Sequence, residues 1–166
     1  VLVFAVPSSP MAQPWPVIGG NMISALVGVL AYQSIGNFGL AASVAVGAAI
    51  LIMSLLRCLH PPGGASALTA VIGSEAIHAA GYAFALVPVV LNSICLVLLA
   101  LLFHKFTSHS YPHRVKAVPA SIASAPILHA ADMDAALADM GESFDISRAD
   151  LDALLTRAEI HASKRR

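Results

Sequence analysis

"RCLHPPGGASALTAVIGSE", residues Arg57–Glu75, lies between two long stretches without charge, and its reading decides what those stretches are. Before it runs Phe38–Leu56. After it runs Ala83–Phe103, "AFALVPVVLNSICLVLLALLF". A third uncharged run, Val17–Gly36, stands further upstream, joined to the second by a turn too short for anything but an antiparallel hairpin. About 20 apolar residues at about 1.5 Å each cross a hydrocarbon core of about 30 Å. The runs therefore read as three spanning helices, and Pro88 inside the last reads as a kink rather than a stop. Between Gly63 and Gly73 the apolar stretch is only about 17 Å long as a helix, about half a bilayer. Pro61 and Pro62 suit its first turn, where no ladder donor is lost. The expectation is a half-helix, either re-entrant or one part of a broken crossing.

Composition supports this reading. The chain is 58% hydrophobic with a mean hydropathy of +0.81, and only 11% of its residues are charged. Before Lys105 the sole charged side chains are Arg57 and Glu75, so the formal neutrality of the whole averages two chemically different parts. The class expected is an all-α, polytopic transmembrane bundle with a helical tail. Small residues recur at every fourth position as Gly20, Ser24 and Gly28, as Ala41, Ala45 and Ala49, and as Ala65, Thr69 and Gly73. Such faces let helix backbones approach in lipid, where water does not drive them together. Cys58 and Cys95 read as buried thiols without CxxC spacing.

Domain boundaries are expected at 1–111 for the membrane part, 112–131 for a Pro, Ser and Ala linker, and 132–166 for a cytoplasmic helical segment. In that segment Met133, Leu137 and Met140 share one face, Gly141 ends the first helix, and Ser147 with Asp150 forms an acidic capping box. Leu151, Leu154, Leu155 and Ala158 then form an apolar stripe. Such tails dock on themselves or on a second subunit, so a homo-oligomer is one expected state. His104, Lys105, Arg114 and Lys116 follow the last span, so the tail is expected in the cytoplasm. "VLVFAV" reads as the end of a helix begun earlier and "HASKRR" as a broken-off pattern, so a fragment is expected.

Function is sought first at the quoted loop. A helix start leaves amide donors unpaired and carries about half a positive charge, which favours an anion. Arg57, His60, the amides of Gly63 and Gly64 and the hydroxyl of Ser66 are the candidate anion-binding groups, with Asn21 and Thr69 as candidates along a pathway. The plainer alternatives are an arginine snorkelling to headgroups, a histidine capping a neighbouring carbonyl, and a simple turn. Asn21, Gln33 and Asn92 otherwise read as interhelical hydrogen-bond glue. Glu75 and His78 read as solvated loop residues, and a metal site at His104, His109 and His113 is the weakest option. No common enzyme signature and no basic, aromatic-interleaved face for nucleic acid is present; neither catalysis nor a cofactor or metal is expected.

The segments "RCLHPPGGASALTAV" and "FAVPSSPMAQPWPVIGGNMISALVGV" together resemble the HPP family of integral membrane proteins, named for the triplet matched here by His60, Pro61 and Pro62. Two departures are Trp15, where members often carry a basic residue, and Asn21, where they often carry histidine. The resemblance implies a four-helix membrane domain, nitrite as the leading small inorganic anion, and, in many bacterial members, a following pair of nucleotide-sensing CBS domains. The function expected is thus anion transport across a bacterial inner membrane. An anchor and sensor for a cytoplasmic regulatory module, without transport, is the alternative.

Overall fold

The computed structural model describes residues 2–107, 109–115, 129–140, 145–163 and 165. They form two compact units, residues 1–112 and 113–166. The described residues are helices and connections, without strands.

The first unit opens with a short helix, α1 (Leu2–Ala5), and a single 3-10 turn, Pro10–Ala12, capped by the Ser9 hydroxyl, which accepts from the Met11 amide at 3.2 Å. A π-helical turn, Pro16–Gly20, leads into α2 (Asn21–Ser34). After a short connection the Asn37 side chain accepts from the Leu40 amide at 2.9 Å and starts α3 (Phe38–Leu55). Pro62 begins α4 (Pro62–Ile72), where its missing donor is harmless. Gly73 ends α4, and α5 (Glu75–Ala80) follows. A second π-helical turn, Ala85–Val90, absorbs Pro88 and continues as α6 (Leu91–His104). Three helical stretches are long and apolar enough to cross a membrane: Pro16–Ser34, Phe38–Leu55 and Ala85–His104.

The segment that the quoted loop opens runs alongside α2 in the same direction through α4 and α5, as one part of a broken crossing would. Gly20 lies against the Cys58 carbonyl and His60, Gly63 against the Ser24 hydroxyl, Gly28 against Ala67 and Ala70, and Tyr32 against His78. From residue 20 to residue 32 of α2 is about 18 Å, so the segment from His60 to His78 traverses most of the unit instead of turning back.

Two of the three small-residue faces pack as expected. Ser24, Gly28, Ala41, Ala45 and Ala49 are all buried. The third does not. Ala65 and Thr69 are exposed, and α4 instead buries Gly63, Ala67, Ala70 and Val71, a face rotated by about two residues. The reason is the proximity of α2: a Cβ on Gly63 would lie 2.7 Å from the Ser24 oxygen, and the Ala67 carbonyl occupies the space beside Gly28. Cys58 is buried as expected, whereas Cys95 lies on the outer face of α6 and is exposed.

In the second unit α7 (Ala130–Met140) and α8 (Arg148–Ser163) are joined by an Arg148–Asp134 ion pair. Half of the expected capping box is present: the Asp150 amide donates to the Ser147 hydroxyl at 3.1 Å, while the Asp150 carboxylate accepts from that hydroxyl at 2.5 Å rather than from the Ser147 amide. Burial acts to raise the Asp150 carboxyl, but the bonds from Ser147 and His113 outweigh it and hold the pKa below its ordinary value. Of the linker expected over 112–131, residues 116–128 lie outside the described ones, as does Gly141. His113 belongs with the tail, bonded to Asp150 at 2.7 Å. Met133 is buried and Leu137, Leu151 and Leu155 half-buried, while Met140, Leu154 and Ala158 are exposed.

The close passage of α2 and α4 gives a direct test. Gly28→Ala forces the two backbones apart and should cost about 1–3 kcal/mol. Gly47→Ala, with nothing within 4 Å of the new methyl group, should stay within about 0.5 kcal/mol of the parent chain. Denaturant titration of the solubilised protein distinguishes the two.

Candidate functional site

The polar centre of the membrane unit is built on three helices. From α2, the Asn21 side-chain amide donates to the Val17 carbonyl at 2.8 Å and to the Ser93 hydroxyl of α6 at 3.2 Å. From α4, the Ser66 hydroxyl donates to the Asn21 carbonyl oxygen at 3.0 Å. Ser93 in turn donates to the Val89 carbonyl at 2.8 Å. Asn21 and Ser93 thus bond back to carbonyls four residues earlier, each inside a π-helical turn, and then to each other. Wide turns of this kind recur at functional positions because they disturb the backbone ladder. Here the disturbed turns and the side chains that reach back to them form one network.

This network borders an open pocket of about 360 Å³, in whose wall Ala65, Thr69 and Asn92 are exposed. Asn21, Ser66, Thr69, Asn92 and Ser93 supply its polar wall, and Pro88 and Phe84 part of its apolar wall. Thr69 donates to the Ala65 carbonyl at 2.8 Å, which leaves its oxygen able to accept. Asn92 lines the cavity without a side-chain hydrogen bond to any described residue. Every polar group on this wall is neutral. The Ala65 and Thr69 face of α4, expected to pack against a helix, borders this space instead.

The other candidates are placed elsewhere. The Gly63 amide donates to the His60 carbonyl at 2.8 Å and the Gly64 amide to the Pro61 carbonyl at 3.2 Å, so both are engaged at the start of α4. His60 is 3% exposed, and its Nδ1 lies 2.9 Å from the Met11 carbonyl, which requires the proton to sit there. Burial pushes the imidazole pKa down against the opposing pull of that carbonyl. It ties the Pro10–Ala12 turn to the loop, as the capping alternative anticipated.

Arg57 ends α3. The Cys58 amide reaches the Met53 carbonyl at 2.9 Å and the Arg57 amide the Ser54 carbonyl at 3.2 Å, the paired bonds of a Schellman cap. Arg57 occupies the left-handed position of that cap at φ 53°, where glycine is usual, and is exposed. Of the seven sequence candidates, then, the structure gathers Asn21, Ser66 and Thr69 around one cavity. Arg57, His60, Gly63 and Gly64 line no part of it.

Several polar residues depart from their sequence reading. His78 is not a solvated loop residue: its ring stacks on Tyr32 at 3.8 Å and its Nε2 donates to the Val71 carbonyl at 3.0 Å, fastening α5 across the break at Gly73. Gln33 is exposed rather than bridging helices, and Glu75 is exposed. His104 uses Nε2 on the Val3 carbonyl at 2.8 Å and Nδ1 on Thr107 at 2.9 Å. Ser93 was missed in the sequence. Its only signal is its place five residues after Pro88, near a helix irregularity that leaves carbonyls to be satisfied.

These features define a multi-pass α-helical membrane protein whose crossing helices meet at a neutral polar network. The chain belongs to the HPP family: the family model for the HPP transmembrane region matches residues 1–112. Two Dictyostelium discoideum proteins named only as transmembrane proteins are similar to it. One is 40% identical over 118 residues, 68% of this chain and 41% of that protein, and the other 36% identical over 118 residues, 68% of this chain and 37% of that protein. The chain therefore spans about two fifths of the length of these curated relatives. No solved structure matches it.

The cap geometry separates a structural from a binding role for Arg57. Glycine relieves the left-handed strain at a smaller entropic cost, so Arg57→Gly should stabilise the protein by about 0.5–1 kcal/mol. A lower unfolding midpoint in denaturant would mean that the guanidinium holds the loop.

Proposed function

We propose that the membrane unit carries a small inorganic anion, nitrite first among the candidates, through the cavity beside the broken crossing. The observation that carries this reading is the Asn21–Ser66–Ser93 network with Asn92 and Thr69 beside it. Polar side chains inside a membrane are costly and mark solute paths. On this wall the Asn92 amide is the side-chain donor not given to another described residue, and the Ser66 and Thr69 hydroxyls donate to an anion only by turning from the Asn21 oxygen and the Ala65 carbonyl; neutral donors of this kind hold an anion without the deep trap that a buried cation would create, and conduction needs binding weak enough to release. An open pocket of about 360 Å³ has room for a triatomic anion with part of its hydration. In this reading the Asn92 amide and the wall hydroxyls bind the ion, and Arg57, exposed at the end of α3, raises the anion concentration on its side of the unit.

The orientation follows from where charge falls. His104 bonds the Val3 carbonyl, Tyr111 the Ala12 carbonyl, His60 the Met11 carbonyl and Trp15 the Leu56 carbonyl, so the ends of α3 and α6 share one side. Arg57 and Lys105 lie there, and Glu75 lies at the other end with α5. The basic side is cytoplasmic by the positive-inside rule, and the tail with it. In a bacterial host the membrane would be the inner one. The alternative, an anchor and sensor without transport, draws on the apolar groove between α7 and α8.

The test is nitrite uptake by liposomes holding the full protein, with nitrate, formate and chloride as competitors. Asn21→Ala and Ser66→Ala should each slow uptake about tenfold or more, the equivalent of one hydrogen bond of about 1.4 kcal/mol. Arg57→Ala should raise KM at low salt and lose that effect at high salt. Absence of protein-dependent flux from a correctly inserted protein would leave the sensor reading.

A further inference from the structure

The outer face of α6 carries an amide unmatched among the described residues. Asn92 stands in the most apolar of the three candidate spans, Ala85–His104, about 4 Å from its middle at about 1.5 Å per residue. Its side chain is exposed and has no hydrogen bond to any described residue. Lipid tails offer an amide no partner, so leaving it against them is costly. On one flank of Asn92 are Ser93 and Leu96, which line the pocket with it. On the other flank Cys95, Leu99 and Leu102 follow at intervals of three, four and three residues, all of them exposed. This is the spacing of the seam between two helices, with the amide at one of its inward positions.

The amide selects the occupant. A side-chain amide is donor and acceptor at once, and so is complementary to itself. In a two-fold pair the same residue arrives from both sides at the same depth, whereas a helix of apolar residues alone would leave Asn92 as unmatched as lipid does. The outer face of α3 is a rival surface, smooth at Gly39 and Gly47, but its hydroxyls make no such demand. Ser43 and Ser54 donate to the carbonyls of Gly39 and Ile50 at 2.9 and 2.8 Å. We propose that α6 is the seam of a homodimer within the membrane, two parallel copies in which each Asn92 carbonyl accepts from the amide of the other copy. Each amide gives one hydrogen to the pair and keeps its second for the pocket. The seam thus sets two pockets side by side, and it is independent of what those pockets carry.

The test uses the full chain in phosphatidylcholine liposomes at several lipid-to-protein ratios. With Cys58→Ala, the native Cys95 is the reporter. Oxidation by copper phenanthroline should link two copies through Cys95. A control chain carrying Gly47→Cys with both native cysteines replaced should link only by collision, with a yield that falls in proportion as lipid dilutes the protein. A second measurement reads energy transfer between copies labelled at Ala162→Cys, again with both native cysteines replaced. Asn92→Leu should weaken association about tenfold or more with helicity unchanged, and Asn92→Gln, which keeps an amide, should restore part of it. Cross-linking at Cys95 no faster than at Gly47→Cys would overturn the proposal. So would association that Asn92→Leu leaves unchanged, since the contact would then lie on α3 or in the tail. Neither measurement reads flux, so the anion reading stands or falls separately.

Discussion

The membrane unit depends on the contact between the backbones of α2 and α4. In lipid, apolar side chains gain nothing by leaving one apolar surrounding for another, so helices hold together through close packing and a few polar bonds. The positions that allow this contact are Gly20, Gly28 and Gly63, each with less than a methyl group's room toward the facing segment. With those three in place, α4 lies along α2, Ser66 comes within 3.0 Å of Asn21, and the chain beyond Gly73 reaches His78 and its seat on Tyr32. Widening the gap at Gly28 would therefore loosen the polar network as well as the packing.

The network solves a problem that the helices themselves create. Pro16 and Pro88 each sit in a π-helical turn, and such turns leave carbonyls poorly matched to the ladder. Asn21 and Ser93 reach back to two of those carbonyls and then spend their remaining capacity on each other and on Ser66. The result is a polar junction joined to helix irregularities on two sides and to an interrupted crossing on the third. Asn92 and Thr69 extend that junction into the neighbouring cavity. Structural need explains the bonded groups. It does not explain the amide at Asn92, exposed in that pocket without a side-chain hydrogen bond to any described residue.

Much of the fold was legible because hydrophobic length and small-residue spacing are local. The three spans lie within two residues of their expected ends, and the Ser147–Asp150 cap was readable from two letters three apart. The half-helix was legible in length but not in course, since only its contacts with α2 distinguish a broken crossing from a re-entrant loop. The stripe at Ala65, Thr69 and Gly73 misled because spacing does not say which of several small faces a helix buries. At the site, proximity in sequence suggested that Arg57, His60 and the first amides of α4 converge. A Schellman cap turns Arg57 outward, the Met11 carbonyl takes up His60, and the turn at Pro61 uses the two glycine amides. Asn21 was legible as a polar residue in a span; its joining of Ser66 and Ser93, 45 and 72 residues away, was not.

The most direct measurement is the accessibility of one position in the cavity wall. With Cys58 and Cys95 replaced, Thr69→Cys in the reconstituted protein is exposed to a charged, membrane-impermeant thiol reagent in the presence and absence of nitrite. Labelling from water that nitrite slows in a saturable manner is expected if the cavity beside Asn21 and Ser66 is an aqueous anion site. A thiol that stays unmodified from either side, or one modified at the same rate whatever the nitrite concentration, would contradict that reading.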